Sequence, residues 1–228
     1  MGRVLRTDFY RLFTWSHEEY LAAVLGRQVA SRTANGTRTR IAAAHFPAVK
    51  TIEDFSFDHI PAASRDLVAH LATTTFVAKR DNVVLLEPPG TGKTHLAIAL
   101  AIKAAEASYP VAFDSATGWI ARLGAAHERG MLERELRKLN RYRLLVIDEV
   151  GYLPFDTAAA SLFFQLIASR YETGSVASNL AFSRWGETLG DDVVAVATID
   201  RLVHHAQVIA LDGESYRTRA HRTRVAQV

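Results

Sequence analysis

The sequence implies an α/β fold built on a parallel sheet, and three observations carry that expectation. Residues 83–86 (VVLL) and 144–147 (LLVI) are short, wholly apolar runs, as strands buried on both faces are. Each run ends in polar residues suited to phosphate chemistry. Between and after them, apolar residues recur at helical spacing. Parallel strands alternating with helices bring right-handed crossovers and place ligands beyond the carboxyl ends of the strands.

The chain of 228 residues is long enough for one good-sized domain with a small appendage. Its 49% hydrophobic and 22% charged residues are ordinary for a globular protein. With no cysteine, disulfides and zinc–thiolate sites are excluded, and a reducing cytoplasm is the expected compartment. Arg3, Arg6 and Arg11 interrupt any signal-like apolar segment, and no run is long enough to cross a bilayer, so no membrane partner is expected.

Charge is uneven. Residues 1–50 hold eight bases against Asp8, Glu18 and Glu19, a balance of +5. This stretch reads as a small helical, basic appendage for DNA or a partner. Ser16 and Glu19 have capping-box spacing, Tyr20, Leu21, Val24 and Leu25 give an apolar face, and Asn35-Gly36 is where the helix is expected to break. Phe9, Phe13 and Trp15 read as its core rather than as a base-stacking platform.

Residues 51–217 read as the catalytic core. Phe55 and Phe57 lie on one side of an extended segment and are expected to pack rather than line a base pocket, and 64–77 reads as one helix. The stretch 87–94 then follows the first apolar run. Gly90 and Gly92 allow successive amides to face one anion at a helix N-terminus. Lys93 would reach the β- and γ-phosphates, and the Thr94 hydroxyl would ligate Mg²⁺. The expected nucleotide contacts are Pro88, Pro89, Gly90, Thr91, Gly92, Lys93, Thr94 and His95, which fits ATP as the ligand.

Glu87 departs from the GxxxxGK[ST] pattern, replacing its first glycine. A carboxylate facing the phosphates at ~7 Å, at an effective dielectric of ~20, costs roughly 2 kcal/mol per unit of phosphate charge. Pointing away from the loop, it costs far less.

Residues 110–113 give a second strand, followed by helices over 117–129 and 132–139. The latter is dense in charge and reads as a solvated face, with a DNA-facing surface as the alternative. At the end of the run 144–147, Asp148 would hold Mg²⁺ and Glu149 would polarise the attacking water, a general-base role typically worth 10²–10⁴-fold. A helix over 158–171, a short strand 175–178, a helix over 193–205 and a strand over 207–211 complete the core. His204 and His205 lack a third ligand and read as structural or backbone-contacting. Residues 218–228 read as a basic tail.

GTGKTHLAIAL, LLVIDEVGYLP, LFFQLIASRYETGS, SNLAFSRWGE, DRLVHHA and GESYRTR, in this order, resemble the IstB-like insertion-sequence helper ATPases, AAA+ proteins related to the helicase loader DnaC. The resemblance implies a P-loop AAA+ core that uses ATP and Mg²⁺, binds DNA, forms a homo-oligomer and assists a transposase in selecting its target. It implies further that Asn179 is the polar sensor that helps orient the attacking water, that Arg201 is an arginine finger acting in trans, and that Arg217 is a second sensor in cis. Residues after Val111 correspond to a DNA-contacting helix of initiator-type relatives. Against the family pattern, the segment 174–179 is two or three residues short, which puts the sheet register and the position of Asn179 in question. Residues 1–14 also fit the pattern poorly. Two alternatives stand beside the transposition helper: a DnaC-like helicase loader, and a partly decayed, non-hydrolysing DNA-binding relative.

Overall fold

A computed structural model describes residues 16–57, 61–86, 91–150, 154–171, 174–178, 189 and 192–210. The chain forms two compact units, 1–39 and 40–228. Phe9, Phe13, Trp15, Glu87, Asn179 and Arg217 lie outside the described residues.

Helix α1 (His17–Ala43) begins with the expected reciprocal cap. The Ser16 amide donates to Glu19 Oε2 at 2.7 Å, and the Glu19 amide donates to Ser16 Oγ at 3.2 Å. It does not break at Asn35-Gly36, as the sequence led one to expect. A C-cap there needs a left-handed residue, and the positive φ angles among the described residues fall elsewhere. The roughly 1 kcal/mol that glycine costs inside a helix is tolerated, and the Thr39 hydroxyl donates to the Asn35 carbonyl at 2.9 Å within the helix.

The second unit is a three-layer sandwich. Its strands are β1 (Asn82–Leu86), β2 (Val111–Ser115), β3 (Leu144–Asp148), β4 (Ser175–Ser178) and β5 (Ala206–Ala210), parallel and in the order β2-β3-β4-β1-β5. Alternation along each strand divides the core. Val83, Leu85, Leu144, Val146 and Ala177 face α2 (Ala62–Ala72), α3 (Thr75–Lys79) and α4 (Lys93–Glu106). Leu145, Ile147 and Val176 face α5 (Ala116–Glu128), α6 (Leu132–Leu139), α7 (Thr157–Arg170) and α8 (Asp192–Val203). The single helix expected over 64–77 is two, because Thr74 adopts φ 61° and turns the chain.

The short strand β4 is paired on both sides. Val146 and Val83 flank Ala177, and Ile147 and Val84 flank Ser178, so four residues complete the centre of the sheet. Two long polar side chains brace its start. Asn82 Oδ1 accepts from the Val176 amide at 2.9 Å, while Asn82 Nδ2 donates to the Leu202 carbonyl at 2.9 Å. Arg170, 2% exposed, donates to the carbonyls of Leu139, Tyr142, Arg143 and Ser175. On the far edge, β2 is covered: the Phe113 amide donates to the Ala44 carbonyl at 3.0 Å.

Candidate nucleotide site

The carboxyl ends of β1 and β3 deliver the two motifs to one place. Gly92, at φ 98°, is the cap residue of α4, and no side chain caps the helix there. Its first-turn amides therefore keep the partial positive charge that suits an anion. A side chain at Gly92 would meet more than an unfavourable φ, because its Cβ would sit 2.8 Å from Phe55 Cε2.

Phe55 belongs to a strap laid along α4. The His95 Nε2–H donates to the Thr51 carbonyl at 2.7 Å, and the His95 ring meets that of Phe55 edge-on at 5.3 Å. Lys103 pairs with Glu53 at 2.9 Å, and that hydrogen bond holds the Glu53 carboxyl below its usual value. Phe55 and Phe57 also pack edge-to-face at 5.0 Å. Phe55 is buried, as expected of a packing residue, but it packs against the loop glycine itself. The His95 side chain is thereby turned onto the strap.

Thr94 Oγ1 donates to Asp148 Oδ1 at 3.0 Å. Asp148 is 6% exposed, so a nearly buried carboxylate lies beside a hydroxyl at the start of α4. Glu149, the next residue, is exposed and has φ 57°, a left-handed conformation that costs roughly 1–2 kcal/mol for a residue with a Cβ. Consecutive acids thus separate, one turned into the protein and the other out of it. A cleft of ≈ 630 Å³ opens beside them, lined among others by Asp114, Ser115, Arg122 and Tyr142.

These residues fit Mg-ATP. Thr94 and Asp148 offer hard oxygen atoms of the kind Mg²⁺ takes, already within one hydrogen bond of each other. The uncapped start of α4 meets phosphate charge. Thr91, Gly92, Lys93, Thr94 and His95 follow one another into that first turn, whereas Pro88, Pro89 and Gly90 lie outside the described residues.

A protein-family model for IstB-like ATP-binding proteins matches residues 11–224. The chain belongs to this family. The sequence is 44% identical over 209 residues to a Pseudomonas aeruginosa protein named for ATP binding in insertion sequence IS21, covering 91% of this chain and 79% of that protein. A Geobacillus stearothermophilus protein named likewise for insertion sequence IS5376 is 38% identical, over 91% of this chain and 83% of that one. Among solved structures, DnaA of Aquifex aeolicus bound to AMPPCP superposes with a TM-score of 0.60 at 17% identity, covering 80% of this chain and 56% of that one. The DnaC helicase loader gives 0.54 at 20% identity, over 68% and 93% of the two chains. The IstB-like chain therefore has the P-loop AAA+ fold.

Arg201 lies in the last turn of α8, where its Nη1 donates to the Ala197 carbonyl at 2.9 Å. The Tyr171 hydroxyl and His204 Nδ1 lie 3.2 Å apart, and the His204 and His205 rings meet edge-on at 4.3 Å. On α6 much of the dense charge is paired: Glu135 binds Arg122 of α5 at 2.6 Å and Lys138 at 2.8 Å, and Glu133 binds Arg137 at 3.2 Å. Sequence reading missed Asn82 and Arg170. Asn82 precedes the first apolar run and Arg170 falls within LFFQLIASRYETGS, but a polar residue at a strand start or near a helix end gives no sign of burial.

Proposed function

We propose that the chain binds and hydrolyses ATP as the helper ATPase of a bacterial insertion sequence, acting on DNA as an assembly of copies beside the element's transposase. The observation that carries the reading is the contact of Thr94 with Asp148 beside an outward Glu149, in a chain of this family. Residues 88–95 form the phosphate cradle. Lys93 neutralises phosphate charge from the first position of α4. Mg²⁺ held by Thr94 and Asp148 supplies further positive charge against the triphosphate. Glu149 orients the attacking water and accepts its proton. Asn179 and Arg217 act as sensors of the phosphates.

Arg201 serves a neighbouring copy. It precedes Leu202, whose carbonyl is bound by Asn82 at the start of β1, while the loop follows the other end of that strand. Five residues at about 3.3 Å each separate the two by roughly 15 Å. Hydrolysis then depends on assembly, since a finger supplied in trans is worth 10³–10⁵ in rate. The +5 balance of residues 1–50 supports DNA as a ligand. The insertion-sequence names of the relatives support a transposase as partner, and the cysteine-free composition supports the cytoplasm.

The test is ATP turnover of the purified chain with and without double-stranded DNA. Turnover that rises with DNA and falls at least 100-fold in Glu149→Gln, with nucleotide binding retained, is the expected result. Equal turnover of the parent and Glu149→Gln overturns the assignment. A parent that binds no nucleotide at millimolar concentration supports the non-hydrolysing reading, and capture of a replicative helicase instead of a transposase supports the loader.

A further inference from the structure

Phe164 stands out among the residues of α7. Its neighbours Leu162, Phe163, Leu166 and Ile167 are core residues, whereas Phe164 is only half-buried. Its ring is not idle: the Arg201 guanidinium carbon lies 4.8 Å from its centroid. The same guanidinium donates from Nη1 to the Ala197 carbonyl one turn back along α8. Among the described residues, none of the ion pairs involves Arg201.

These partners have a chemical consequence. A guanidinium carries five N–H donors in one plane, and the Ala197 bond uses one of them. A carboxylate at this place would bind the N–H edge and neutralise the charge. An aromatic face holds the plane by cation–π attraction and consumes no donor. The arrangement fixes the orientation of Arg201 while leaving its edge for an anion.

We propose that Phe164 is the positioning residue of Arg201, a platform that pre-orients the guanidinium toward the phosphate oxygens of a nucleotide bound to a second copy of the chain. The inference rests on the reading of Arg201 as a residue acting in trans. It adds the residue that sets the orientation, and with it a reason for an aromatic side chain at a half-buried helix position. Pre-orientation lowers the barrier of the step in which the charge is used and leaves nucleotide binding to the copy that owns the loop.

The experiment compares DNA-stimulated ATP turnover of the full chain with that of Phe164→Leu, Phe164→Tyr, Arg201→Ala and the double variant Phe164→Leu/Arg201→Ala, alongside thermal midpoints. Phe164→Leu is expected to lower kcat about 3- to 10-fold, the size of a partly exposed cation–π contact, with KM for ATP and the thermal midpoint little changed. Phe164→Tyr restores the parent rate because it keeps the ring face. The double variant is no slower than Arg201→Ala. If Arg201→Ala turns over like the parent, the trans reading of Arg201 fails. If Arg201→Ala is impaired while Phe164→Leu is not, or Tyr fails to restore the rate, or the Leu variant raises KM instead of lowering kcat, the platform alone is overturned.

Discussion

The guanidinium of Arg170 occupies the space that a side chain at Gly174 would need: a Cβ built there overlaps Arg170 Nη2 and its central carbon. Gly174 is therefore required for room, and the reason lies four residues earlier in the chain. Burial, with the Arg143 charge adding to it, lowers the Arg170 guanidinium to about 10, so it remains charged at neutral pH. No carboxylate compensates it among the described residues. Four backbone carbonyls from the ends of α6, β3 and β4 do so instead.

Arg170→Met is expected to destabilise the chain by on the order of 2–4 kcal/mol, because the cost of stranding its four carbonyl partners outweighs the relief of removing a buried charge. Gly174→Ala should cost about 1–3 kcal/mol by overpacking. In the Arg170→Met background the alanine should cost almost nothing, since its obstacle is gone. Urea unfolding of the four proteins measures this, and strict additivity would refute the spatial account.

The contact between Thr94 and Asp148 predicts how magnesium enters the binding equilibrium. Asp148→Asn keeps the shape of the site and removes its charge. ATP-analogue affinity in EDTA should be unchanged or slightly improved, whereas the gain on adding Mg²⁺ should fall by at least about tenfold, a typical cost of losing a charged partner. The ligand-free variant should be no less stable than the parent, because a nearly buried carboxylate is costly. Fluorescence titration with and without Mg²⁺ decides the first point, and thermal melting the second.

Glu135 ties α6 to α5, and its pKa is lowered from 4.5, first by the hydrogen bond from Lys138 and then by Arg122. For a carboxylate whose folded value is depressed, the stabilisation is present above the unfolded value. It is lost as pH falls through the folded one. Glu135→Gln should therefore reduce stability near pH 7, and the difference should shrink as pH falls below the usual carboxylate range and through the lowered Glu135 value. A constant difference between the two melting curves from pH 7 to 3 would contradict it.

Much of the site was legible from local pattern. An apolar run, a glycine pair and Lys93-Thr94 specify a strand and a helix start, and those same residues are the ones proposed to hold the nucleotide. Leu144 to Glu149 does the same for the second strand. The break expected at Asn35-Gly36 shows the limit of such reasoning: a turn-prone pair costs about 1 kcal/mol in a helix, and helix α1 continues to Ala43 regardless.

By itself, then, the sequence determined the order of strands and helices and the two motifs that meet at their ends, because each is encoded within a few consecutive residues. Only the tertiary structure decided that Phe55 lies against Gly92, that Asn82 joins residues 94 and 120 positions away, and that Arg170 is buried among carbonyls. Those relations arise when distant segments are packed at one density around a sheet, and residues so far apart in the chain carry no local mark of the neighbours that packing will give them.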